Sequence, residues 1–98
     1  MNDLQTKIGA GLLTYTFISD PSHAWLKVSI RDLDYSGVKW QISRYSYRSA
    51  SHVYLEEDCD ATTFVRAMEA IGHVIHIQET EVEDFDRVIL DKSLRSYR

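Results

Sequence analysis

The amino-acid sequence predicts one α+β domain, an about five-stranded, largely antiparallel sheet with one short and one longer helix packed on one face. Three observations carry that expectation. Apolar residues alternate with period two in several short runs, and a single segment, 61–71, places them at spacings of three and four. The chain of 98 residues is 44% hydrophobic with four glycines and one proline, which suits one core without a linker, so a single domain over 1–98 is expected.

Residues 12–19 are rich in β-formers, with Leu13, Tyr15 and Phe17 on one side of the alternation, and read as a first strand. Asp20-Pro21-Ser22 ends it, because proline fixes its own φ and donates no hydrogen bond. In the next strand Ala24, Leu26, Val28 and Ile30 alternate with Trp25, Lys27 and Ser29, the pattern of a sheet with one face in the core. Ser29 followed by Asp32 makes a variant capping box, and Gly37 can close the turn, which predicts a short helix over 30–36. Strand-like runs near 40–48 and 52–58 flank Ser49-Ala50-Ser51 and read as a hairpin, with Val53 and Leu55 facing inward and Tyr54, Glu56 and Asp58 outward. Asp60 is placed to be the N-cap of the longer helix, whose stripe is Ala61, Phe64, Val65, Met68 and Ile71, and Gly72 ends it. A last strand over 73–80 points Ile75 and Ile77 inward, and a basic tail begins at about 87.

Charge is unevenly spread. Residues 1–55 hold six Lys/Arg against four Asp/Glu, or +2, whereas residues 56–98 hold five against eleven, or −6. The acidity concentrates in two base-free stretches, Glu56-Glu57-Asp58-Cys59-Asp60 and Glu79-Thr80-Glu81-Val82-Glu83-Asp84-Phe85-Asp86. Such surfaces repel nucleic acid and attract proteins built to hold it. The simpler reading is a solvated face that keeps a small domain soluble, with Asp60 capping its helix. In the sharper one, Glu79, Glu81 and Glu83 lie about 6.5 Å apart on one face of a strand, a row of like charges that approximates one phosphate strand. The other acidic stretch would supply a second row.

The residues of common catalytic and metal sites do not converge in sequence. His73 and His76 are three apart on a predicted strand, so they point to opposite faces and cannot easily share a metal. Cys59 is flanked by Asp58 and Asp60, whose charge disfavours a thiolate, and reads as a small buried hydrophobe. Glu56 and Asp58 lack the apolar pocket or base partner that tunes an acid–base pair. Arg44-Tyr45-Ser46-Tyr47-Arg48 has the residue types of an RNA-binding sheet, but strand alternation puts both tyrosines on one face and both arginines on the other. Core tyrosines and solvated arginines are the simpler account. No enzymatic activity, cofactor or metal is therefore expected. The lone cysteine, the absence of a signal-like N-terminus and the absence of a long apolar run point to the cytoplasm, with no membrane partner.

Three runs, His23-Ala24-Trp25-Leu26-Lys27-Val28, Ile42-Ser43-Arg44-Tyr45-Ser46-Tyr47 and Val53-Tyr54-Leu55-Glu56-Glu57-Asp58-Cys59-Asp60-Ala61, resemble a family of small proteins of phages, plasmids and bacterial genomes. In size and acidity the chain is also similar to phage-encoded anti-CRISPR proteins directed at the type I-F surveillance complex. That resemblance implies a DNA mimic, cytoplasmic in the host cell, that binds the complex and blocks target DNA without binding nucleic acid itself. The expected partner-binding residues are Glu56, Glu57, Asp58, Glu79, Glu81, Glu83, Asp84 and Asp86. The other expectation is a small regulatory or toxin-neutralising protein of a mobile element that binds a different basic protein.

Overall fold

The computed structural model describes residues 11–83 and 95–97. Strands β1 (Leu12–Ser19), β2 (Ala24–Ser29), β3 (Tyr47–Arg48), β4 (His52–Glu56), β5 (Val74–Glu81) and β6 (Arg95–Ser96) form one sheet in the order β5-β1-β2-β4-β3-β6. Helices α1 (Ile30–Ser36) and α2 (Asp60–Ile71) lie on one face. The fold is α+β and the sheet mostly antiparallel, as expected, with β6 an added two-residue strand built from the predicted basic tail.

Direction follows from connectivity. β2 is antiparallel to both β1 and β4, so β1 and β4 run the same way. The chain then returns through α2, and β5 starts at the end of the sheet where β4 started. It runs with β4 and therefore parallel to β1, in the register Leu13↔Ile75, Tyr15↔Ile77, Phe17↔Glu79. A helical crossover produces this geometry where a short hairpin loop cannot.

The main core lies between sheet and helices, where Leu26, Val28, Ile42, Val53, Leu55, Phe64 and Met68 are almost fully buried. Phe64 meets Tyr15 edge to face at 5.2 Å between ring centroids. The Tyr15 hydroxyl donates to Asp32 Oδ2 at 2.8 Å and ties β1 to α1. Burial, then that hydrogen bond and the Asp32 charge, push the phenol pKa well above its ordinary value. Helix α1 begins as its capping residues require, with Ser29 Oγ accepting from Asp32 N–H at 3.0 Å. It ends at Gly37, which takes φ 82°.

Four expectations are corrected. The run near 40–48 is not one strand: Lys39–Gln41 is a 3-10 turn, and only Tyr47 and Arg48 join the sheet. Ile42 anchors this connection in the core, and Asp60 holds the 43–46 loop beyond it. Asp60 is not an N-cap. It is the first residue of α2, entirely buried, and its Oδ2 accepts from Ser43 N–H at 3.0 Å, Ser43 Oγ at 2.6 Å and Ser46 Oγ at 2.6 Å. Cys59 takes the cap position without a side-chain bond and is exposed, not buried. Ile71 is exposed at the end of the helix stripe.

The opposite sheet face has a small cluster that alternation did not predict, with Ile18, Trp25 and Tyr54 buried and Tyr47 and Val82 packed on them. Cross-strand register explains it, since Ile18 pairs with Trp25 and Tyr54 with Tyr47. Tyr47 meets Trp25 at 5.3 Å, while Tyr45 is 64% exposed under the Arg44 guanidinium, so the two tyrosines neither form a stacking platform nor both enter a core.

Candidate functional site

Because α2 runs back against the strands it connects, its N-terminus sits at the end of the sheet where β1, β4 and β5 finish. The turn 57–59 and the last residues of β5 therefore lie at the same end of the sheet, with β2 and β1 between their strands. Between them lies an open groove of about 450 Å³. Phe17, Leu26, Ala61, Val65 and Ile77 form its apolar floor, and Glu57, Glu69 and Glu79 line it together with Arg66.

The groove brings the two acidic stretches together through Glu57 and Glu79. Glu81 follows Glu79 on the same face, two residues further along β5, and both are exposed. Glu83 is exposed past the strand end, so only Glu79 and Glu81 make the regular row expected of 79–83. Asp84 and Asp86 lie outside the described residues. Asp58 is exposed. Glu56 is committed locally, its two oxygens accepting from Asp58 N–H at 3.0 Å and Cys59 N–H at 3.1 Å, so it shapes the turn that presents Glu57 and Asp58.

Sequence reasoning does not single out Glu69 and Arg66, although Thr62, Arg66 and Glu69 fall at helical spacing along one stripe of α2. Only the fold shows that this stripe borders β5. At the sheet margin, β5 has no partner on its outer side among the described residues. Both of its faces are largely exposed, only Ile75 being half-buried. Among the described residues its outer backbone donors and acceptors are thus unpaired, beside a carboxylate-lined groove.

Among the described residues no group of three or more His, Cys, Asp and Glu could hold a metal. His73 and His76 diverge: His76 is exposed on β5, whereas His73 Nε2 lies 3.0 Å from the Tyr35 hydroxyl. No helix among the described residues is long and apolar enough to cross a membrane. Comparison with protein families, curated proteins and solved structures returns no match.

Proposed function

We propose that the chain is a stoichiometric protein-binding inhibitor whose acidic groove and adjoining β5 edge occupy a basic, phosphate-binding surface on its partner. The observation that carries this reading is the convergence of Glu57, Glu69 and Glu79 on one groove with an apolar floor, continued by Glu81 on the same face of β5. Carboxylates there can pair with lysines and arginines that otherwise hold DNA phosphates, and Phe17, Val65 and Ile77 can bury apolar surface. Long-range attraction would speed encounter, and short-range packing would slow release.

The similarity of the chain in size and acidity to anti-CRISPR proteins makes the type I-F surveillance complex the first partner to test. Its affinity for the purified chain should be measured across a salt series, with target DNA as competitor, for the unaltered protein and for Glu57→Lys, Glu79→Lys and Glu81→Lys. The reading expects competition with DNA, weaker binding for the reversed charges, and a shallower salt dependence. Binding that neither competes with DNA nor responds to these substitutions would overturn it. If the surveillance complex does not bind but another basic protein does, with the same charge dependence, the surface assignment stands and the partner is the regulatory or toxin-like one.

A further inference from the structure

At the other end of the sheet the helix-covered face has a second concavity, with opposite charge. It measures about 800 Å³, within the range of small-ligand sites, and Ile30, Leu33 and Val53 contribute apolar wall. Its charged lining is Arg31, Lys39, Arg48 and Asp34, a balance of +2 in a chain whose net charge is −4. Lys39 and Asp34 neutralise each other at 2.8 Å. Among the described residues that leaves the two guanidinium groups as the uncompensated charge of the lining.

Both arginines are placed by the fold. Arg48 shares the helix-side face of β3 with Val53 across the hairpin, where an apolar residue would ordinarily point into a core. Its Nε is buried without a hydrogen-bond partner, and its guanidinium carbon stands 6.0 Å from the Tyr97 ring centroid. Arg31 is exposed on α1, and neither arginine makes an ion pair among the described residues. A half-buried guanidinium facing a cavity whose one carboxylate, Asp34, is taken up by Lys39 is costly unless an anion completes it. With the exposed Arg31 lining the same cavity, the two favour a phosphate, which guanidinium groups can bind in a forked geometry. Trp40, 77% exposed, also lines the pocket and supplies a large planar surface beside the cations.

We infer that this pocket is a binding site for an organic phosphate carrying an aromatic ring, with the phosphate between Arg31 and Arg48 and the ring against Trp40. A nucleoside monophosphate is the smallest ligand with both parts. The acidic groove does not oppose it, because the strands between the two ends are longer than the screening length of about 8 Å at physiological salt. Free nucleotides and the phosphorylated terminus of a single strand share this chemistry, and a pocket of this size takes one nucleotide, not a duplex.

The test is titration of the full chain with adenosine 5′-monophosphate by calorimetry and by the Trp40 indole N–H resonance. Adenosine, inorganic phosphate and a 5′-phosphorylated tetranucleotide provide the comparison. Saturable binding with a shifted Trp40 resonance is expected, weakened about tenfold or more by Arg31→Gln and by Arg48→Gln, and unchanged by Arg66→Gln in the acidic groove. Arg31 is exposed, so its variant keeps the test open should Arg48→Gln fold poorly. Tighter binding of the tetranucleotide assigns the site to strand termini, and equal or weaker binding assigns it to free nucleotides. The inference is overturned by no saturation with either ligand at millimolar concentration, by full affinity in Arg31→Gln, or by inorganic phosphate or adenosine binding as well as the nucleotide.

Discussion

Replacing Asp60 by alanine is expected to destabilise the domain by about 3–5 kcal/mol, a large share of the roughly 5–15 kcal/mol available to a domain of this size. One fully buried carboxylate oxygen accepts three hydrogen bonds, two from serine hydroxyls at 2.6 Å and one from Ser43 N–H at 3.0 Å. Ser46 Oγ in turn accepts Glu56 N–H at 3.0 Å, so the network joins the 43–46 loop, the start of α2 and the end of β4. Bonds to a charged acceptor contribute about 1.5–3 kcal/mol each, but the three share one oxygen and are not additive. The cost of burying the carboxylate, whose other oxygen has no hydrogen-bond partner, offsets part of the gain. Asp60→Asn keeps the shape and one acceptor while weakening each bond, and should cost about 1–2 kcal/mol. Urea unfolding of both variants at constant m-value measures the loss directly. A double-mutant cycle with Ser46→Ala should give a coupling of about 1 kcal/mol or more. A loss below about 1 kcal/mol for Asp60→Ala, or no coupling to Ser46, would refute the claim that this carboxylate holds the loop.

Four further outcomes are expected. Gly72→Ala should cost about 1–2 kcal/mol in the same unfolding assay, entirely from its backbone, because Gly72 has φ 118° and a Cβ there would meet nothing within 4 Å. Cys59→Ser should change stability by less than about 0.5 kcal/mol and leave partner binding intact, and a maleimide should label the native thiol without denaturant, since Cys59 is exposed. His52 has its pKa lowered by burial and then by the Lys27 charge, so its contribution is fully present above the ordinary histidine value of about 6.5 and is lost as pH falls through the lower folded value; the urea midpoint should decline below that pH less steeply in His52→Gln. The purified protein should give no gel shift with duplex DNA at physiological salt, because its exposed glutamates repel phosphates and the Arg31–Arg48 pocket is a single concavity, and a clear shift would count against the mimic.

Much of the architecture was determined by local sequence. Ser29, Asp32 and Gly37 specify both ends of α1, and the alternation of 24–29 specifies which residues of β2 meet the helices. The stripe Ala61, Phe64 and Met68 orients α2, and Gly72 stops it. These features depend on φ, on capping and on the periods of helix and strand, all of which act within a few residues. Tertiary structure alone decided the rest. Asp60 looked like a cap because an aspartate before an apolar stripe usually is one, and only the approach of Ser43 and Ser46 from the preceding loop turned its side chain inward. In sequence the two acidic stretches are separate runs, divided by residues 61–78. They meet because the crossover of α2 sets β5 beside β1, a pairing that rests on chain direction and burial over the whole sheet. The cationic pocket likewise joins residues remote in sequence: Arg31 and Arg48 belong to different elements, and the packing of α1 beside β3 and β4 gathers them around one concavity.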